Sequence, residues 1–164
     1  MSLPQEIRQL WESFEGRGVL GQKVDRAAGI VPVTAIRLNL YTITVGEILL
    51  TCLYGVCTIA ETGGANAVVF DATPTVGGAL SPMDNGAGDI NGSVVGDMMG
   101  PQGNIALPAV GAGTTGAIPT MWMPWICKVG NIGITMAAAT ADSSWRWVLY
   151  YIPLTEGALV VATP

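Results

Sequence analysis

The sequence predicts an all-β fold, an antiparallel sandwich or barrel, preceded by one amphipathic helix and an extended arm. Three observations carry that expectation. Runs rich in β-branched and aromatic residues alternate with period two, as at Ile36, Leu38 and Leu40 against Arg37, Asn39 and Tyr41. Turn signals built from Gly, Pro, Asn and Asp recur roughly every 8–12 residues, the spacing of short strands in sandwiches and barrels. Helical periodicity is confined to the first turns of the chain. A chain of 164 residues is long enough for a single core that hides roughly 68–70% of its unfolded surface.

Taken in order, Ser2 with Gln5 resembles a capping box, and Pro4 suits an early helical position. Leu3, Ile7, Leu10, Trp11 and Phe14 recur at helical spacing, with Gln5, Glu6, Arg8, Gln9, Glu12 and Ser13 on the other face. Gly16 and Gly18 stop this helix. Residues 16–34 read as an extended arm with one short strand, too polar for a core strand, so the chain divides into a helix and arm (1–34) and a sandwich domain (35–164). Two long strands, Ala35–Val45 and Glu47–Ala60, join at Val45-Gly46, with Gly55 a candidate bulge. Ala65–Ala72 follows the turn at Glu61–Gly64. In the Gly- and Pro-rich centre, strands are expected at Ser93–Met99, Asn104–Leu107 and Ala117–Met121. The closing stretch offers Ile132–Ala137, Ser144–Ile152 and Ala158–Ala162, with turns at Ala141-Asp142 and Pro153–Gly157. In its middle run Trp145, Trp147, Leu149 and Tyr151 share one face and Arg146, Val148, Tyr150 and Ile152 the other. Both faces are mostly apolar, which predicts a central strand covered on both sides, one of a central strand pair.

Composition excludes several classes. Half of the residues are hydrophobic and 12% are charged, which raises a membrane reading. The longest apolar run, Ile48–Ala60, falls short of the roughly 20 residues a spanning helix needs. Glu6, Glu12 and Glu15 interrupt the N-terminus, so no signal-peptide core is expected. A chain with so few charges is expected to hide surface in an obligate assembly. Five of seven basic residues (Arg8, Arg17, Lys23, Arg26, Arg37) fall in the first 37 positions. Between Leu38 and Cys127 there are six acids and no base. Direct nucleic-acid binding, which needs a basic footprint, is not expected; the basic N-terminal segment could lie on an acidic neighbour or simply be solvated.

No histidine is present, which removes Ser–His and Cys–His pairs and histidine metal sites. Cys52, Cys57 and Cys127 are too few for a four-thiolate zinc site. Cys52 and Cys57 face opposite sides of one strand and so cannot easily bridge, which predicts buried thiols in a reducing compartment. Gly111-Ala-Gly113-Thr-Thr-Gly116 fits a dinucleotide fingerprint, but Pro108 and Pro119 flank it and no helix pattern follows; it reads as a loop. Asp89-Ile-Asn91-Gly-Ser93 is loosely like the start of a calcium loop, yet Met99 and Gly100 stand where the closing Glu belongs; it reads as a polar turn. No catalytic residue, cofactor or metal is expected.

The segments Leu40–Thr51 (LYTITVGEILLT), Leu53–Thr58, Asp89–Gly96, Gly133–Thr135 and Ser144–Ala158 together resemble small structural virion proteins of tailed bacteriophages, over roughly residues 36–162. The most specific part is Trp-x-x-x-Tyr-x-Pro-Leu-x-x-Gly-Ala, from Trp147 to Ala158. The resemblance implies a non-enzymatic β-sandwich of jelly-roll type, assembled into virions in the bacterial host cytoplasm. It would be a head decoration or cement protein held to the major capsid protein or other virion proteins, commonly as a homo-oligomer such as a trimer. The helix lies outside the resemblance. Leu3, Ile7, Leu10, Trp11 and Phe14 are the candidate anchor to a neighbour, the alternative being packing on their own sandwich. Two other functions fit the same fold. One is a carbohydrate-binding, host-attachment jelly roll using Trp122 and Trp125 with Asp84 or Asp89. The other is a tail or connector component.

Overall fold

The computed structural model describes residues 21–31, 37–61, 67–84, 88–102, 123–136 and 143–164. The expected helix at residues 2–15, the strands at 104–107 and 117–121, the loop at 111–116, the turn at 141–142 and Trp122 lie outside the described residues.

Among these residues the chain forms eleven strands: β1 (Gln22–Ile30), β2 (Arg37–Val45), β3 (Ile48–Ile59), β4 (Ala67–Pro74), β5 (Ser81–Pro82), β6 (Gly88–Asp89), β7 (Met98–Met99), β8 (Trp125–Cys127), β9 (Gly130–Met136), β10 (Ser144–Pro153) and β11 (Leu159–Ala162). They build two antiparallel sheets. The front sheet runs β1-β10-β3-β7, with β8 also paired to β3; the back sheet runs β11-β2-β9-β4-β5, with β6 also paired to β4. This is the expected all-β sandwich.

The core lies between the sheets. Trp145, Trp147, Leu149 and Tyr151 of β10 point inward and are at most 1% exposed. They meet Ile132 and Ile134 of β9 and Val68 and Phe70 of β4, all equally buried. The Phe70 ring meets the Trp147 indole edge-on at 5.8 Å, and Trp145 stacks beside Trp147 at 5.9 Å. Gly55 stands directly opposite Trp147 on β3, and a Cβ there would sit 2.6 Å from the indole. The glycine is therefore the floor on which the indole lies.

Four expectations need correction. Among the described residues the outer face of β10 is only partly covered: Arg146 is exposed, Tyr150 half-buried, and Val148, in register between Asp25 and Tyr54, is hidden. A two-layer sandwich covers each sheet once. Next, β9 and β10 are not a strand pair. They belong to opposite sheets, as β2 and β3 do, because each contributes an apolar face to the shared core. Third, residues 22–30 are a nine-residue strand rather than a short strand in an arm. An edge strand needs only its inward positions matched. Gln22 accepts the Tyr151 hydroxyl at 2.6 Å, and Arg26 donates to the Thr163 carbonyl at 2.7 Å. Fourth, the expected strand at Ser93–Met99 shrinks to Met98–Met99. Asp97 folds the preceding residues into a turn, its carboxylate accepting the Val94 N–H at 2.9 Å.

The bulges also differ from expectation. Gly55 keeps regular register, and the slips in β3 fall at Thr51 and Thr58. A slip at Leu40 in β2 lets Leu40 and Tyr41, neighbours in sequence, both be fully buried.

Gly55→Ala is expected to destabilise the protein by roughly 1–3 kcal/mol, the usual cost of overpacking a core. Trp147→Leu in the same chain should recover part of that loss. A double-mutant cycle on the denaturation midpoint checks this, and additive effects would remove the contact from the explanation.

Candidate functional site

One end of the sandwich is built from the turns β2–β3, β4–β5, β8–β9 and β10–β11. Antiparallel pairing places them together, since Val45 pairs with Leu159, Gly130 with both Ile43 and Pro74, and Ile48 with both Cys127 and Pro153. Gly46 makes the first turn at φ 71°, where a side chain would also strike Ala158. Backbone hydrogen bonds then tie turn to turn. Leu154 N–H donates to the Glu47 carbonyl at 2.9 Å, Glu47 N–H to the Thr155 hydroxyl at 3.2 Å, and Thr75 N–H to the Val129 carbonyl at 2.9 Å. The loops are held as one surface.

That surface is apolar. Val76 is 87% exposed and Ile126 64%, and Val45, Val129, Leu154 and Leu159 are exposed beside them. The charges at this end are few. Lys128 and Glu47 approach only to 4.0 Å and both are well exposed, so their pairing contributes little. Between the sheets, a cavity of about 210 Å³ opens here, lined among others by Ile43, Ala72, Trp125, Cys127 and Asn131. A shallower groove of about 290 Å³, sharing Pro74 and Lys128 with it, runs past Gly46, Val76 and Val129.

Besides apolar groups, the cavity lining carries Thr73, Ser81, Cys127, Lys128 and Asn131. Burial pushes the Cys127 thiol up to about 12, so at neutral pH it is a protonated, inert thiol. Cys52 and Cys57 are likewise buried, free and shifted upward by desolvation.

A polar cluster lies elsewhere, on the outer face of the back sheet. Asp71, fully buried, accepts Arg37 Nε at 2.6 Å and the Thr135 hydroxyl at 2.7 Å. Arg37 also donates to Asn39 Oδ1 and, at 3.2 Å, to the Asn131 carbonyl. Gly133 gives Arg37 room to cross β9, where a Cβ would collide with the Leu38 carbonyl. Both carboxylate oxygens and all three guanidinium nitrogens are engaged. The cluster pins β2, β9 and β4 together and leaves no open group for a ligand.

Of the residues singled out from the sequence, Leu3, Ile7, Leu10, Trp11 and Phe14 lie outside the described residues. Trp125 is half-buried and lines the cavity. Asp84 is buried, accepting the Phe70 N–H at 2.9 Å, which removes it as an exposed sugar ligand. Asp89 accepts the Asn91 N–H at 2.9 Å in a local turn. The apolar end itself was not anticipated. Its signal was there: Val76, Val129 and Leu154 are apolar residues set inside turn segments.

The raised thiols give a pH dependence with a definite sign. Only the unfolded chain ionises Cys127 near the ordinary 9.0, so the stability it contributes is complete below that pH. It declines as pH rises from there towards about 12. Thiol titration with a disulfide reagent at mild alkaline pH should accordingly show no fast-reacting cysteine until denaturant is added. Rapid reaction of the folded protein would contradict the burial. As for known proteins, no family model, curated protein or solved structure matches this chain.

Proposed function

We propose that this protein is a non-enzymatic structural component of a phage particle, a capsid decoration or cement protein that stabilises the shell through subunit contacts. The observation that carries the reading is the rigid apolar end, where exposed Val76, Ile126 and Leu154 stand among very few charges. A monomer gains nothing by keeping such a surface wet, whereas burial stabilises an assembly by about 25 cal/mol per Å² before association costs. The proposed partners are further copies of the chain, with a trimer the first arrangement to test, and the major capsid protein or other virion proteins. The proposed location is the virion, after assembly in the host cytoplasm.

The sandwich is proposed to be a jelly roll. Supporting this, the chain crosses from one sheet to the other between β1 and β2, β2 and β3, β3 and β4, β9 and β10, and β10 and β11. That architecture is common to viral capsid and lectin domains, which is why a second reading stands beside the first. The half-buried Trp125 at a cavity with Asn131 and Lys128 favours a carbohydrate-binding, host-attachment module. A tail or connector component would use the apolar end in the same way as a cement protein.

Val76→Asp with Leu154→Asp is expected to leave the fold intact and weaken self-association or shell binding at least about tenfold, a change of roughly 1.4 kcal/mol. Analytical ultracentrifugation and co-sedimentation with phage heads read it. A wild-type chain that stays monomeric and ignores shells would sink the structural reading. Glycan-array binding lost on Trp125→Ala would establish the carbohydrate reading instead.

A further inference from the structure

β3 starts at the apolar end and runs away from it, so Glu61, just past its last residue, lies at the opposite end of the front sheet. There the segment 90–97 folds back along β3. Cys57 N–H donates to the Asp97 carbonyl at 2.8 Å, Gly96 N–H to the Cys57 carbonyl at 3.0 Å and Glu61 N–H to the Ser93 carbonyl at 2.9 Å. Inside the segment, Ser93 N–H donates to the Ile90 carbonyl at 3.1 Å, and Asp97 Oδ2 accepts the Val94 N–H at 2.9 Å. That last bond sets the Asp97 carboxylate against the Ser93–Val94 peptide, while the Ser93 carbonyl holds Ser93 to Glu61. Two acids and one hydroxyl are thus gathered at one place.

All three residues are hidden. Glu61 is 6% exposed, and Ser93 and Asp97 are 0% exposed. Among the described residues the Ser93 hydroxyl has no hydrogen-bond partner, an expensive state for a buried polar group. Glu61 Oε2 and Asp97 Oδ1 are buried as it is. The neighbouring Cys57 thiol feels both acids: burial, then the Asp97 charge and the Glu61 charge, push it above its ordinary value. Cys57 itself is turned away, its Sγ donating to the Ile59 carbonyl at 3.1 Å.

Two carboxylates drawn together out of water repel unless a positive charge or a shared proton stands between them. The donor set selects the charge. It is made of oxygen alone, since the Cys57 thiol keeps its proton and has its own acceptor, so zinc and the softer metals find no ligand here. Magnesium keeps several of its waters, which a site this closed does not admit. Calcium takes carboxylate, hydroxyl and backbone carbonyl oxygens and tolerates irregular geometry. The calcium-like run that begins at Asp89 contributes only Ser93, for Asp89 is exposed and accepts the Asn91 N–H in its own turn. The remaining acids come from elsewhere in the chain, so the spacing in the sequence hides the site.

We propose that Glu61, Ser93 and Asp97 form a structural calcium site that clamps the segment 90–97 onto β3, with backbone carbonyls of that segment filling the remaining places. Glu61 and Asp97 neutralise the ion, and the Ser93 hydroxyl gains the partner it lacks. The test starts from full-length protein stripped with a chelator, titrated with Ca2+ by calorimetry and melted with and without it. A single Ca2+ per chain is expected, with a melting midpoint raised by millimolar Ca2+ and not by Mg2+. Asp97→Asn, which keeps an oxygen for the Val94 N–H, and Ser93→Ala should each weaken Ca2+ binding at least about tenfold. Wild type that binds no Ca2+, or gains as much from Mg2+, overturns the proposal, and this comparison stands even if a variant does not fold. Binding undiminished in both variants overturns it by placing the ion elsewhere. A midpoint that ignores Ca2+ and rises as the pH is lowered overturns it as well, by assigning a shared proton to the two carboxylates.

Discussion

The indole of Trp147 is the contact on which the rest of the sandwich depends. Two sheets packed face to face leave a gap of about 10 Å that side chains must fill. Trp147 fills it from the front sheet, meeting Phe70 of the back sheet edge-on, stacking with Trp145 and resting on Gly55. Among the described residues its indole N–H has no hydrogen-bond partner, a cost of about 1–3 kcal/mol for a buried donor. Burying 150–250 Å² of aromatic surface returns about 4–6 kcal/mol before entropy, so packing wins. That balance explains an unsatisfied donor at the centre of a well-filled core.

Around that centre, polar residues have been given structural employment. Arg37 and Asp71 cross three strands of the back sheet with every oxygen and nitrogen engaged. Arg26 closes the side where β1 meets the chain after β11, donating to the carbonyls of Thr163 and Pro164. The four turns at the apolar end hold only Glu47, Lys128 and Glu156 as charges. Among them the exposed Val76, Val129 and Leu154 form a surface whose natural use is to be covered.

Much of the architecture was legible in the sequence. Alternation grouped Trp145, Trp147, Leu149 and Tyr151 on one face of β10, which the fold turned inward, and turn-forming residues bounded β2, β3, β4 and β11 to within a few positions. Both signals are local, arising from the pleat of a strand and the backbone freedom of glycine and proline, and so survive without knowledge of the fold. Arg37 and Asp71 were visible as charges but not as partners, because 34 positions separate them and only sheet register brings β2, β9 and β4 side by side.

By itself, then, the sequence determined that this is an all-β chain, which faces of its strands are apolar, and that no histidine is there to do chemistry. The tertiary structure alone decided which strands share a sheet. It placed β9 and β10 in opposite layers, although they follow one another in the chain, and made the polar segment at residues 22–30 an edge strand. It also gathered Val76, Ile126, Val129 and Leu154 onto one end. The physical reason is the same in each case. Alternation states that a strand has an inside and is silent about what stands opposite it, and a lone apolar residue in a turn looks incidental until other turns bring theirs to the same place.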